Sequence, residues 1–502
     1  MSSTLLIGFT GAALLVLWTM KRRLQPAPLP PGPRRAPLIG NLLQMPHDKA
    51  PLVFHEWAGT YGDVMYLKLP GMSIVVLDSL QAAEDLLEKR SAIYSDRPIF
   101  PLYELFGWTS TLTMMPYGKK FTQYRQMHHA YLNRQRCLDY HPIQLDEART
   151  LVKNLWLAAP DEKQRALGRF ATGIVTQLVS GHRIESDDDI YLRMTDMVAE
   201  SLTRAEQAPG ATAIDFFPFL KYFPSWFPGT YYANMAREWY PTVRELHTFP
   251  VEEVKKQRKE GIARPSFVLE QLEAVESMTE EYEEDLRGNA AVMFAAGEST
   301  TWGTISVFLL AMVLYPECQR KAQEEINAII GNTRLPEFHD RDSLPYVEAL
   351  CREVYRWNPG VPLALPHRCI QDDIYRGMLI PKGTIVFPNI KGMTLSPKIY
   401  SDPTDFIPER YLPRPLGRDE PYFTGHFGFG RRICTGQHLA DNSVWIAIAT
   451  ILASCRITNA MDENDVKIVP PTTMTYGLMS HPVDFRCVVE PRTPEYKFLL
   501  EE

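Results

Sequence analysis

The stretch FGFGRRICTG, from Phe427 to Gly436, sets a single cysteine, Cys434, in a frame of glycines behind two arginines. The chemistry open to a lone thiol is that of its thiolate, which is both nucleophile and metal ligand. Cations and helix N-termini favour that ionised form. The surrounding residues supply both, and N–H donors besides. Gly428 and Gly430 permit a tight turn that can aim amide N–H groups at the sulfur. A long helical pattern, GQHLADNSVWIAIATILASC, begins just past Cys434 and brings the positive end of its dipole close. The other cysteines are Cys137, Cys318, Cys351, Cys369, Cys455 and Cys487, widely spread and without a CxxC pair. That usage fits a reducing compartment and lacks zinc-site spacing.

A protected thiolate of this kind can serve as the axial ligand of haem iron, where it pushes electron density to favour O–O cleavage. Gly436 leaves room for the following helix to approach a flat macrocycle, and Arg432 can reach a haem propionate. A second unusual stretch is GNAAVMFAAGESTTWGTISVFLLAMVLY, Gly288 to Tyr315. As a helix it would span about 40 Å. It is apolar nearly all round and so reads as buried. A membrane span is the competing reading, but the polar GESTT at its middle makes that costly. Unpaired polar groups in a core are costly too, so GESTT calls for a functional reason.

At these residues the chain resembles the cytochrome P450 family of haem-thiolate monooxygenases. Phe427, Gly430, Cys434 and Gly436 match its haem-binding loop FxxGxxxCxG, and other landmarks follow in the family's order over essentially the whole chain. The resemblance, strongest to fungal microsomal members, implies a mainly α fold with small β-sheets and haem b ligated by Cys434. PYVEALCREVYRWNP holds Glu353-x-x-Arg356, and FIPERYL supplies Pro408, Glu409 and Arg410. In the family, Glu353, Arg356 and Arg410 would form a buried charge network holding the haem-side core. The family's WxxxR becomes YGKKFTQYRQ here, with Phe121 at the tryptophan position and Arg125 retained for a propionate. His367 and Arg368, in LPHRC, sit where a further propionate ligand is expected, and either one fits.

The family's (A/G)Gx(D/E)T proton-relay motif fits AAGESTT in two registers. One takes Glu298 as the acid and Ser299 as the alcohol. The other places Ser299 at the acid position and keeps Thr300 as the alcohol. The second is preferred, because Met293, Ala296, Gly297, Thr300 and Thr304 share a helix face, whereas Trp302 would crowd the first. Apolar pocket candidates are Phe100, Trp108, Met114 and Met115, then Ala296, then Val361, Leu363 and Leu365, and finally Leu478 and Met479. They imply a lipophilic substrate. FFPFLKYFPSWFPG, Phe216 to Gly229, reads either as a lid at the substrate entrance touching the membrane or as a core-packing loop.

The implied reaction inserts one atom of O2 into a C–H or C=C bond, by hydroxylation or epoxidation, while the other leaves as water. The chain has no flavin or dinucleotide signature. The resemblance therefore implies electrons from NADPH through a membrane-bound NADPH–cytochrome reductase, with a cytochrome b-type protein as a further donor. Lys119, Lys120, Arg134, Arg136 and Arg431 form a candidate basic dock for an acidic flavoprotein, with a solvated charged face as the alternative. Two other functions compete: a haem-thiolate isomerase or dehydratase that uses no O2, and a non-catalytic haem carrier or sensor.

The elements that must position these groups are legible in outline. Residues 4–20 form an uncharged apolar run followed by Lys21, Arg22 and Arg23. This is expected to be a single transmembrane anchor with the rest of the chain in the cytosol, at the endoplasmic reticulum. Residues 21–41 are basic and proline-rich, an expected semi-rigid hinge, and 42–502 form the catalytic domain. Asp63 to Ser79 reads as two strands around Pro70-Gly71. Helical patterns dominate to about Asn358, and short strand-like runs follow. Forty prolines are scattered through the chain, and a net charge of −7 argues against nucleic-acid binding.

Overall fold

The computed structural model describes residues 27–204, 212–494 and 496, and the expected anchor with its three basic residues lies outside them. Helices of twelve or more residues are numbered α1 to α10. α1 (Ala50–Tyr61) leads into a hairpin of β1 (Val64–Leu69) and β2 (Met72–Leu77). Its turn is Pro70-Gly71, as the sequence indicates, with Gly71 at φ +72°. The helical pattern after Ser79 breaks into short pieces, one of them a π-helical turn at Glu84–Lys89. The long helices follow: α2 (Lys119–Leu132), α3 (His141–Leu157), α4 (Lys163–Ser180), α5 (Ile190–Arg204), α6 (Tyr231–Glu260), α7 (Glu280–Leu314), α8 (Pro316–Ile329) and α9 (Pro345–Trp357). Beyond Pro359 come β3 (His367–Arg368), β4 (Asp373–Tyr375), β5 (Met378–Ile380) and β6 (Ile385–Pro388). The buried helix α10 (Gln437–Ser454) is followed by β7 (Cys455–Asn459) and β8 (Cys487–Pro491).

The largest sheet runs β1-β2-β6-β3. β2 and β6 pair in parallel, Ile74 opposite Ile385, and β3 pairs antiparallel with β6, His367 opposite Val386. This ties residues near position 75 to those near 367 and brings two distant stretches to one side of the site.

α7 is the axis of the helical part and packs against α4, α6, α9 and α10. Thr279 caps it by accepting the Tyr282 N–H, and Glu280, Glu281 and Glu283 in the first turn complement its dipole. From Gly303 to Val313 every residue is buried. The helix is long and apolar enough to cross a membrane, yet most of its apolar stretch is covered by protein, which supports the buried-helix reading.

The proline-rich segment behaves differently from the expected hinge. From Pro28 it lies against the sheets: Tyr66 N donates to Pro31 O (2.8 Å), Leu379 N to Pro28 O (2.7 Å) and Asn41 N to Lys68 O (2.7 Å). Proline lacks an N–H but keeps its carbonyl, so a run of prolines can still accept hydrogen bonds from a sheet edge. Gly40, at φ +63°, passes so close that a Cβ would stand 2.0 Å from Lys68 O. The globular body therefore starts about a dozen residues before position 42.

The aromatic segment after Phe216 is a short 3₁₀ turn, Pro218–Tyr222, with loop on either side. Leu220 is buried, but Phe217, Phe219, Tyr222 and Trp226 are exposed, the last two at 79%. Successive rings touch from Phe217 to Phe219, Phe223 and Phe227. These exposures exclude a core-packing loop.

Candidate active site

Six of the seven cysteines are buried; Cys434 alone is accessible. Its loop is closed by Cys434 N donating to Phe427 O (2.9 Å). Gly428 and Gly430 both have positive φ, +83° and +54°. The reason for glycine at 430 differs from the one expected. A Cβ there would lie 2.2 Å from Leu87 O, so this residue lets the loop press on the π-helical turn. The N–H that acts on the sulfur belongs to Gly436 instead, at the cap of α10. The sulfur is accessible yet crowded by protein, and burial pushes its pKa up, opposed by the Gly436 N–H and the charge of Arg125. Arg125 on α2 also donates from Nη1 to Ile433 O (2.9 Å), one residue before the cysteine.

Around this loop stand arginines without a salt bridge among the described residues, on which Asp96 acts only at longer range. Arg432 is 9% exposed and donates to the carbonyls of Ser95 (2.7 Å) and Met115 (2.8 Å). Its guanidinium carbon lies 3.7 Å from the ring centroid of Phe121. The phenylalanine in the family's tryptophan position thus serves as a stacking face. Arg97, 5% exposed, donates to the carbonyls of Thr113 (3.1 Å), Leu365 (2.8 Å) and Pro366 (2.7 Å). Neither forms a salt bridge among the described residues. Burial pushes Arg97 well below its ordinary pKa, its charge opposed also by Arg432, and pushes Arg432 down to about 10. Sequence reasoning missed Arg97. It carries no spacing signal, since its partners come from segments 16 and about 268 residues away.

His367 and Arg368 meet different surroundings, as strand alternation requires. Arg368 pairs with Asp96 (2.5 Å) and is about a third exposed. His367 is buried, holds Tyr94 O through Nδ1 (2.8 Å), and is kept neutral by burial and by the charges of Arg97 and Arg432. The histidine faces the arginines; Arg368 turns away to Asp96.

On α7, Ala296 is exposed and Met293 and Thr300 half-buried, an accessible strip in the middle of a largely buried helix. Thr300, Ser299 and Thr304 each donate a hydroxyl to the carbonyl four residues earlier. Glu298 lies on another face. It is 7% exposed, its carboxylate 3.9 Å from where a Gly168 Cβ on α4 would sit, and burial with help from Asp196 pushes its pKa up to about 8. Trp302 packs on His481 at 4.7 Å between ring centroids.

The pocket candidates divide. Met114, Val361, Leu365, Leu478 and Met479 are half-buried, and with Ala296 keep accessible apolar surface. Phe100, Trp108, Met115 and Leu363 are all but sealed in side-chain clusters. Phe100 and Leu363 pack with the inner face of the sheet, Met115 with Phe121 and Tyr124, and Trp108 against His247 at 5.4 Å. Apolar type alone could not separate wall from core.

The expected charge network is fully assembled. Arg356 grips Glu353 through two bonds of 2.7 Å, and Arg410 Nε reaches the same carboxylate at 3.1 Å. All three are 0% exposed. Arg356 also holds the carbonyls of Thr394, Pro403 and Asp405, and Arg410 pairs with Glu420 (2.9 Å). Glu409 stays outside, bound to Lys321 and Tyr346. In the basic group, Lys120 is tied to Asp285 (2.7 Å) and Arg136 to Glu270. Lys119, Arg134 and Arg431 are exposed and, among the described residues, form no salt bridge.

An accessible cysteine at the head of a buried helix, ringed by buried arginines that form no salt bridge among the described residues, is the donor set of a haem-thiolate protein: one sulfur for the iron and cations for two propionates. Arg97, Arg432, Arg125 and His367 fit that group. The chain belongs to the cytochrome P450 family, whose profile matches residues 30–487. It is 36% identical to a cytochrome P450 monooxygenase of Armillaria gallica, over 98% of each chain. It is 38% identical to cytochrome P450 monooxygenase 136 of Postia placenta, over 95% of this chain and 91% of the relative. It is 37% identical to tryptamine 4-monooxygenase of Psilocybe cyanescens, over 96% of each. The protein is thus an oxidoreductase of the monooxygenase type.

Proposed function

We propose that the protein hydroxylates or epoxidises an uncharged, lipophilic small molecule at a membrane surface, with electrons from NADPH delivered by a flavoprotein reductase. Two electrons and two protons reduce one atom of O2 to water, and the other atom enters the substrate. When bound, the haem supplies the oxygen activation. The chain's own residues do the rest. Cys434 ligates through sulfur; Arg97, Arg432, Arg125 and His367 hold the acidic edge; Thr300 donates and accepts a proton at Oγ1; Ser299 assists.

The observation that carries this reading is the strip at Ala296 and Thr300, where a hydroxyl is the polar group of an otherwise apolar, accessible wall. Glu298 faces α4 and is thereby removed from direct relay. One relative is named for tryptamine, an amine. An ammonium group calls for a nearby acid, and the accessible pocket candidates are apolar, so neutral substrates are favoured. The exposed Phe217, Phe219, Tyr222 and Trp226 suit a membrane interface, where aromatic rings concentrate. Lys119, Arg134 and Arg431, the last held by the Tyr117 hydroxyl (2.7 Å), are exposed cations that suit an acidic reductase.

Optical spin-state titration with neutral terpenoid and polycyclic compounds, run beside aryl-ethylamines, tests the substrate class. Saturable shifts with the neutral set are expected, and shifts confined to amines would overturn it. Thr300→Ala should divert NADPH oxidation to peroxide by roughly tenfold or more, with Glu298→Ala milder. The opposite ranking would restore Glu298 as the relay acid.

A further inference from the structure

His128 on α2 is 2% exposed, and the reading above gives it no task. Its Nδ1 lies 3.2 Å from Thr435 Oγ1, the residue between Cys434 and Gly436. Its Nε2 is buried without a hydrogen-bond partner, as is Oδ1 of Asn289, itself fully buried on α7. The Asn289 side chain is close enough to act on the imidazole by hydrogen bonding. Its amide nitrogen is committed to Asp285 O (2.8 Å), so what it offers His128 is an acceptor oxygen. An acceptor opposite Nε2 places the proton on Nε2. Burial keeps the ring neutral, its pKa pushed down to about 4. With the proton on Nε2, Nδ1 carries a lone pair to which the Thr435 hydroxyl can donate. Three residues earlier on the same helix, Arg125 holds Ile433 O. α2 therefore grips the loop on both sides of the cysteine.

We propose that His128 is a positioning residue for the thiolate: enclosed beside Asn289, it fixes the Thr435 side chain and so holds the peptide that carries the Gly436 N–H toward the Cys434 sulfur. This rests on the haem-thiolate reading and deepens it. An N–H directed at sulfur withdraws charge from it. Loosening that N–H leaves the sulfur more electron-rich and favours the oxidised metal.

The test uses full-length, haem-loaded protein and measures the midpoint reduction potential by spectroelectrochemistry. Thr435→Val, which keeps the shape and removes the hydroxyl, should lower the ferrous-to-ferric ratio at fixed potential roughly tenfold, 59 mV for one electron. Thr435→Ser, which keeps the hydroxyl, should stay near wild type. His128→Phe should match Thr435→Val, and the double variant should add nothing further, because both break one chain of bonds. His128→Gln can accept and donate in the same directions and should restore most of the potential. An unchanged potential in Thr435→Val, or shifts that add in the double variant, would overturn the proposal. A change in thermal midpoint at constant potential would also overturn it, by reducing His128 to packing. Failure of the underlying reading looks different: wild type itself would then lack a thiolate-type spectrum.

Discussion

This protein holds two buried arginine clusters, and they differ in one respect. Arg356 and Arg410 are matched by Glu353 and Glu420 and by a set of carbonyls, with no exposure at all. Arg97 and Arg432 are almost as deeply buried but bond only carbonyls and an aromatic face. A buried cation is stable only when something pairs with it. The first cluster is complete within the chain and therefore structural. The second is complete only with an anionic ligand and therefore marks the site. The same residue type, at the same depth, reports opposite roles according to whether its charge is balanced.

One substitution applied to both clusters breaks or sharpens that contrast. Arg356→Gln leaves Glu353 buried and half-paired and should cost about 3–5 kcal/mol, seen as loss of soluble protein or a collapse of the urea midpoint. Arg97→Gln and Arg432→Gln keep a carbonyl donor and lose the charge. Each should weaken haem retention by about 2 kcal/mol, roughly thirtyfold, while the haem-free protein unfolds near the wild-type midpoint. Equal damage to haem-free stability at both clusters would erase the distinction.

Glu298 is the mirror case, a buried acid that pairs with no cation among the described residues. Its folded pKa of about 8 lies above the ordinary carboxyl value of 4.5. The folded state therefore binds the proton more tightly than the unfolded state, and stability falls as pH rises between these values. Glu298→Gln should raise folding stability by up to about 3 kcal/mol at neutral pH, seen as a higher thermal midpoint. The gain should grow from pH 5 to 8 and level off above. A gain independent of pH would show that the acid is not held neutral. The exposed cations should have the smallest effect. Lys119→Glu with Arg134→Glu should leave stability within about 1 kcal/mol and slow reductase-driven reduction at low salt more than at high salt. An unchanged rate at every ionic strength removes the docking surface.

The sequence made the paired cluster legible and the unpaired one only in part. Glu353 and Arg356 share a helix face at a spacing of three, and Arg410 sits in a recognisable motif, so local spacing carries the information. Arg432 and Arg125 were visible from their distance to Cys434 and Phe121. Arg97 was not, because tertiary carbonyls from remote segments define its environment. The same limit hides the different surroundings of His367 and Arg368, which the β3–β6 register sets, and leaves Trp108 and Met114 indistinguishable although one is sealed and the other half-open. The proline-rich stretch departs from a hinge for another reason: proline lacks a donor but keeps its carbonyl, and the sheets supply the N–H groups that bond it. The π-helical turn under Gly430 and the His128 contact with Thr435 depend on approaches that no periodicity encodes.

The central claim is that Cys434 binds haem iron as a thiolate. The absorption spectrum of the purified, haem-supplied protein, reduced with dithionite and exposed to carbon monoxide, tests it most directly. The account predicts the red-shifted Soret band of a thiolate-ligated ferrous–CO complex in wild type and its loss in Cys434→Ser. A wild-type protein that binds haem and shows only the band of a neutral nitrogen or thiol ligand would contradict it.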